Sequence, residues 1–523
     1  MSPRIARDSH GGGASRRARA GERVVTRRQA LAELALGAGA LALAGCGVQS
    51  APRAGADGST LRSTYADRQG DGVLVTAAGA PLIDRTELAP RAAPAAVLAT
   101  LAHLTDAHVM DEQSPARVPF LRRLEAPFDS TFRPQEALTA RVLDGAVRAI
   151  EALAPDAVIQ GGDLIDNAQG NELEWALGLL RGGRVGPNSG APAYMGVQAA
   201  DDPDPFYYRP DIDAPLHPGL LAKATQTFTA RGLRVPWYPV LGDHDLLVQG
   251  VLPPTSATDA IALGSRAIWD LPSGLSIPAG LAGGASGASP DGFTDVSGIE
   301  ALIEQVQLAP SVTVPPDPAR RELAASQVLA GLRLGSSQGG TGPLMNYSFD
   351  LGARLRVIVL DLVRRQGGSG GVVHPDEESW LAGELARAGD RWVLVVCHQP
   401  LTSTHGAERL LALLDRDPRV LAALWGHTHR NRIVPRPSPA GGYWLIATCS
   451  LIDYPQELRA VRVRETRGGG VVLETWMLDH VPDGGLGDIA RELSYLDAQG
   501  GRPQGFAGSP LDRNVRLYKR SRT

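Results

Sequence analysis

The sequence predicts an α/β fold, and three observations carry that reading. Apolar runs of strand length recur along the chain, among them "VLATLAHL", "DAVIQ", "VPWYPVL", "LRVIVLDL", "RWVLVV" and "VLAALW". Segments with helical spacing of apolar residues stand between several of these runs, which is the pattern of strands joined by crossover helices. Five of the runs end in Asp or His residues, the position at which open α/β sheets place their sites.

The chain of 523 residues is long enough for one large domain with insertions, or for two ordinary domains. A formal net charge of -4 gives no electrostatic reason to expect a nucleic-acid partner. A hydrophobic content of 43% fits a globular protein, while 61 Gly and 39 Pro require much of the chain to be loop.

In order along the chain, residues 1–46 read as an export signal. An arginine-rich stretch precedes "ALAELALGAGALALAGC", a run too short and Gly-rich for a membrane span and interrupted by Glu33. "TRRQAL", with Arg27 and Arg28, resembles the twin-arginine signal that carries folded proteins. "LAGC" resembles the lipobox of bacterial lipoproteins, in which Cys46 becomes the acylated N-terminus. The expected partners are therefore the twin-arginine export machinery and a membrane held through a lipid anchor, and the expected location is extracytoplasmic, on the bacterial cell membrane. Cys397 and Cys449 lie in apolar runs and are expected as small buried hydrophobes rather than as a disulfide.

Residues 47–95, rich in Ala, Gly, Arg and Pro, are expected to form a linker. The main domain is expected over 96–480. It opens with the strand "VLATLAHLTDAH", a helix over Pro134 to Leu153 and the strand "DAVIQGGD", which together make a βαβ unit. Insertions are expected near 168–234 and 248–344, where Pro, Gly and Ser are frequent. "DEESWLAGELARA" and Glu408 to Leu414 are expected helices. "YWLIATCSLIDYP" and "GGVVLETWML" are expected to pair as strands, and 481–523 to form a loosely docked tail.

The residues at the strand ends are "LTDAH" (Asp106, His108), "GGDLIDN" (Asp163), "LGDHD" (Asp243, His244), "VVCHQP" (His398) and "WGHTH" (His427, His429). Residues at i and i+2 of an extended segment share a side, so Asp106 with His108, and His427 with His429, are expected to converge. Mixed imidazole and carboxylate ligands suit Zn, Fe or Mn better than Ca or Mg. Seven of these eight residues as ligands, with His244 left over, exceed what one tetrahedral ion takes and match two divalent ions sharing a carboxylate.

This ordered set resembles the calcineurin-like metallophosphoesterase superfamily, and the signal and long insertions resemble a bacterial subgroup exported by the twin-arginine route. The resemblance covers roughly Leu101 to Met477 and implies a sandwich of two mixed β-sheets flanked by helices. It also implies ligand roles: Asp106, His108 and His429 on one metal, Asp163 bridging, and Asp243, His398 and His427 completing the second. His244 would face a phosphate-ester substrate and protonate the leaving oxygen while a hydroxide shared by the ions attacks phosphorus. The family usually has Asn where this chain has Asp243, a change that adds negative charge to the metal pair. Asp245 either orients His244 or caps the following turn. Asp166 and Asn167 either support the ligands or belong to a surface turn, and His405, Arg430 and Tyr454 either line the pocket or are ordinary loop residues.

These readings converge on an exported phosphoric ester hydrolase acting on phosphodiesters or nucleotides. The alternatives are a phosphomonoesterase and an envelope lipoprotein that binds metal or ligand without turnover; the retained His244 argues against the latter. Replacing Arg27 and Arg28 together with Lys is expected to leave precursor inside the cell. Cell fractionation checks this, and normal export of the double variant would exclude the twin-arginine route.

Overall fold

Leucine-rich and β-branched runs build two mixed sheets. In chain order the strands are β1 (Ser63–Ala66), β2 (Val75–Ala78), β3 (Ile83–Arg85), β4 (Pro94–Leu104), β5 (Ala157–Gln160), β6 (Gly183–Val185), β7 (Phe228–Ala230), β8 (Trp237–Pro239), β9 (Arg266–Ile268) and β10 (Ser311–Thr313). They continue with β11 (Tyr347–Leu351), β12 (Leu355–Val359), β13 (Trp392–Val396), β14 (Val420–Trp425), β15 (Arg432–Arg436), β16 (Tyr443–Ala447), β17 (Glu457–Thr466), β18 (Val471–Asp479) and β19 (Val515–Lys519). The computed structural model describes residues 54–523 apart from 125–130, 203, 272–273, 275–304, 306–308, 338–341, 483, 500–504 and 523. Arg27, Arg28 and Cys46, which carry the export and anchoring expectations, lie outside the described residues. Among the described residues no helix is long and apolar enough to cross a membrane.

One sheet has the order β3-β19-β18-β17-β4-β5-β8 and the other β11-β12-β13-β14-β16-β15. Within the first, β4, β5 and β8 run parallel. Within the second, β12, β13, β14 and β16 run parallel, with antiparallel β11 and β15 at the edges. Alternation along the strands divides the core in two. Leu394 and Val396 of β13, Leu424 of β14, and Trp444 and Ile446 of β16 join a large cluster with Leu101, Val158 and Val461 of the other sheet. Val393, Val395, Ala423 and Leu445, one residue out of phase, pack instead against helices Glu377–Arg387 and Ala407–Arg416 through Leu381, Leu410 and Leu414. The two sheets therefore share one core, as the two-sheet sandwich requires, and the second sheet is covered by helices on its far face.

Helix Thr139–Leu153 connects β4 to β5 and buries Val142, Val147, Ile150 and Leu153, as its spacing predicts. The two insertions carry more structure than their composition suggests. Helix Gly170–Arg181 buries Leu173, Leu177 and Leu180 in the main core and forms the crossover from β5 to β8. Helix Ala325–Gly335 adds Val328, Leu329 and Leu332 to the same core. A buried ion pair, Arg320 Nε to Asp111 Oδ2 at 3.0 Å, ties the second insertion to the loop that follows His108.

Three expectations are corrected. The stretch expected as a linker is folded from residue 54 onward: β1 pairs with β2, β3 pairs with β19, and Arg85 donates to the Ile433 carbonyl at 2.8 Å. The expected loose tail supplies helix Leu486–Gln499 and β19, which completes the first sheet beside β18. "YWLIATCSLIDYP" and "GGVVLETWML" do not pair; β16 and β18 lie in different sheets, and β18 pairs with β17. β17, "ELRAVRVRET", is buried over most of its length, and its alternating arginines had hidden it as a strand.

Leu394 is fully buried between the sheets. Leu394→Ala is expected to lower unfolding stability by about 2–5 kcal/mol through loss of buried area and the cavity left behind. Denaturant unfolding measures this, and a loss below about 1 kcal/mol would mean the core collapses to fill the space.

Candidate metal centre

Six loops meet at one end of the sandwich, each leaving the carboxyl end of a parallel strand. β4 leads to Asp106 and His108, β5 to Asp163, and β8 to Asp243 and His244; β13 leads to His398, β14 to His427 and His429, and β16 to Asp453. Asp106 and His108 fall in one ligand group as expected, whereas His427 and His429 fall in different ones, and neither pair lies on extended backbone. Asp106, His108, Asp163, His427 and His429 all have left-handed backbones, with φ of 54°, 43°, 48°, 62° and 54°. Each such residue costs on the order of 1–2 kcal/mol, so the surrounding structure must hold these five in place. Close approach does part of this work. A Cβ on Gly242 would collide with the backbone nitrogen and carboxylate of Asp163, and one on Gly426 with Thr105 and the Asp106 carboxylate.

The side chains form a buried cage. Candidate ligand atoms of Asp163, Asp243, His398 and His427 lie within 4.8 Å of one another, as do those of Asp106, His108 and His429. Asp163 Oδ2 stands between the groups, 3.0 Å from His398 Nε2 and 3.8 Å from His108 Nε2. Across the cage, His398 Nε2 is 3.3 Å from Asp243 Oδ1, His427 Nδ1 is 3.1 Å from the same oxygen, and His429 Nε2 is 3.3 Å from Asp106 Oδ1.

The protonation pattern tests whether metal ions fit. His108 Nδ1 is 3.0 Å from Asp166 Oδ1, and His429 Nδ1 is 2.5 Å from Asp453 Oδ2. A carboxylate accepts, so both Nδ1 atoms donate, and a neutral ring then keeps a bare lone pair on Nε2. Those two Nε2 atoms face each other at 3.2 Å. His398 repeats the pattern, since its Nδ1 donates to the Gly161 carbonyl at 2.8 Å and its Nε2 is turned to carboxylates. Asp243 Oδ2 is buried without a hydrogen-bond partner. Positive charge is needed among these acceptors. Without cations it comes as protons: the carboxylates of Asp163 and Asp106 outweigh burial and hold His398 and His429 above the usual imidazole range. The donor set, imidazole nitrogen with carboxylate oxygen in groups of three and four, fits divalent transition-metal ions.

Supports behind the cage were only partly visible in the sequence. Asp166, one of the open cases, is buried and orients His108, while Asn167 is buried beside it and accepts from the Gln249 backbone nitrogen at 3.1 Å. Asp453 does the same for His429 and was missed, as were the arginines that hold these carboxylates. Arg117 Nη1 reaches Asp166 Oδ2 at 2.8 Å, and Arg133 Nε reaches Asp453 Oδ1 at 2.6 Å. Gln399 donates to Asp243 Oδ1 at 3.0 Å.

Asp245 takes neither expected role, orienting His244 or capping the following turn. Its carboxylate accepts from the backbone nitrogens of Leu164, Ile165 and Gly242, stitching two ligand loops together. Burial and the Asp163 charge push it up to about 7. His244 is oriented instead by Asp166, whose carbonyl accepts from Nδ1 at 2.9 Å. His244 stands at the rim, grouped with His108 and Asp163. Burial alone would lower its pKa, but the charges of Asp163, Asp166 and Asp243 push it up to about 10; cations among those carboxylates act in the opposite direction. His405 is exposed and its backbone bridges to Val372. Tyr454 packs on Tyr495 with ring centroids 4.9 Å apart, and the exposed Arg430 guanidinium lies 5.7 Å from the Phe506 ring.

Residues 320–431 match the family described as calcineurin-like phosphoesterase. That segment resembles a calcineurin-like phosphoesterase domain. The match indicates a hydrolase acting on phosphate esters. The matched segment contains His398, His427 and His429; the carboxylates and His108 precede it and reach the site on loops of the seven-stranded sheet. No curated protein matches this chain significantly. Among solved structures, a dimetal phosphatase from Danio rerio is similar at 12% identity and a TM-score of 0.34, covering 74% of this chain and 100% of that one. A structure of PhoD is similar at 10% identity and a TM-score of 0.30, covering 82% and 81% respectively.

Gly242→Ala is expected to displace Asp163, with metal affinity falling by about tenfold or more, the usual worth of ligand geometry. Equilibrium dialysis with elemental analysis reads this. Wild-type metal content in the variant would show that the Asp163 position does not govern binding.

Proposed function

We propose that the phosphoesterase binds two divalent ions, Mn, Fe or Zn, and hydrolyses phosphodiester or nucleotide-type substrates outside the cytoplasmic membrane, to which Cys46 anchors it after twin-arginine export. The observation that carries the two-ion reading is the pair of facing acceptor nitrogens on His108 and His429, set beside a second group that shares Asp163. Asp106, His108 and His429 hold one ion, Asp243, His398 and His427 the other, and Asp163 belongs to both. When bound, such ions supply Lewis acidity toward phosphoryl oxygen and make water a usable nucleophile near neutral pH.

The remaining chemistry falls to His244. Its Nδ1 is engaged by the Asp166 carbonyl, which leaves Nε2 as the nitrogen free to act on a substrate. With Nδ1 held by that carbonyl, a cationic His244 would present the proton on Nε2 to the departing alkoxide. Preference for a diester is supported by charge. Arg117 and Arg133 are directed at Asp166 and Asp453 behind the histidines, and Asp243 adds a carboxylate where the family has a neutral amide. A cage with that balance favours the single charge of a diester over the double charge of a monoester.

His244→Ala is expected to keep its metal content while turnover falls by about 10²–10⁴-fold on esters with poor leaving groups. The loss on a nitrophenyl ester, whose leaving group departs without a proton, is expected to be small. Mono- and diester panels assayed with Mn, Fe, Zn and Mg check both points. Equal losses on both ester types with metals retained would make His244 a phosphate-positioning group rather than the acid.

A further inference from the structure

The supports of His108 and His429 are not two separate braces. From His108 Nδ1 the path runs to Asp166 at 3.0 Å, from Asp166 to Arg117 at 2.8 Å, and from Arg117 Nη2 to Glu136 Oε2 at 2.7 Å. The same Glu136 oxygen accepts from the Arg133 backbone nitrogen at 3.0 Å. Arg133 then reaches Asp453 at 2.6 Å, and Asp453 reaches His429 Nδ1 at 2.5 Å. The loop closes at the cage, where the two Nε2 atoms are 3.2 Å apart. Arg117, Arg133, Glu136, Asp166 and Asp453 are all 3% exposed or less.

Burying so many charges is costly unless each is paired, and pairing them in a closed circuit leaves each with a fixed direction. Arg117 Nη2 also donates to the Thr131 carbonyl at 2.9 Å, beside Glu136, while Nη1 donates to Asp166, so the two ends of the guanidinium are tied to different carboxylates. Glu136 touches neither histidine and no cage residue. Its position in the short turn Glu136–Leu138, directly before helix Thr139–Leu153, makes it the point at which the two halves of the circuit are joined.

We infer that Arg117, Glu136 and Arg133 are positioning residues that act as one unit, a buried belt fixing the spacing of His108 and His429 and so the affinity of the ion these two hold with Asp106. The inference rests on the two-ion reading above. Within it, the belt sets one ion and leaves the ion of Asp243, His398 and His427 to its own supports, Gln399 and the Gly161 carbonyl.

The test is a Co²⁺ titration of the full-length protein, followed by visible absorption and by equilibrium dialysis, on the wild type, Arg133→Met, Arg133→Lys and Glu136→Gln. Arg133→Met is expected to weaken one of two Co²⁺ ions by about 10–100-fold and to alter its absorption band, with the other ion unchanged. Arg133→Lys is expected to recover part of that loss, since an ammonium pairs with one carboxylate oxygen but lacks the fork. Glu136→Gln, nearly isosteric, is expected to weaken the same ion severalfold although it contacts no ligand. If Arg133→Met does not fold, judged by near-ultraviolet circular dichroism, Glu136→Gln decides alone. A wild type that binds fewer than two Co²⁺ ions overturns the two-ion reading and the belt with it. A wild type that binds two, alongside Glu136→Gln of unchanged affinity and spectrum, overturns the belt only.

Discussion

Three carboxylates and four imidazoles crowd the end of this sandwich, and they repel one another unless positive charge lies among them. Much of the surrounding structure acts to keep them in register against that repulsion. Parallel strands deliver the ligand loops to one end, left-handed backbone turns the side chains inward, and glycines allow the loops to touch. Buried arginines then fix the carboxylates that steer the histidines. Removing any of these leaves the motif residues in the chain but not the cage in space.

The part of this that the sequence made legible follows from short-range rules. Apolar runs stopping at Asp or His marked the strand ends, and β13 and β14 were readable as continuous apolar strands because both faces are covered by apolar neighbours. Asp106, His108, Asp163, Asp243, His398, His427 and His429 meet as the motif order implied. Less legible was everything fixed by distant partners. Asp453 lies 24 positions after the histidine it orients, and Arg133 lies 320 positions before Asp453, so no local spacing announces them. Asp245 looked equally suited to two roles until the backbone of Leu164 and Ile165 was seen to donate to it.

The same physical reason explains the misjudged ends and insertions. β3 has three residues and is stabilised by pairing with β19 more than by its own apolar content. β17 carries arginines on a buried strand because Arg459 is satisfied by Asn431, Thr448, Thr475 and several carbonyls. Composition took such segments for solvent-facing chain. Helix Gly170–Arg181 was concealed in the opposite way, by the polar Pro-rich loop that follows it.

The cage draws its ligands from both sheets, with Asp106, His108, Asp163 and Asp243 on loops of one and His398, His427 and His429 on loops of the other. Cations bound there would work as a clasp across the sandwich as well as a reaction centre. Ligand binding that requires both layers is thermodynamically linked to their staying together. With such cations bound, the unfolding midpoint would be a function of free metal concentration, and a measured stability would have meaning only with the metal activity stated beside it.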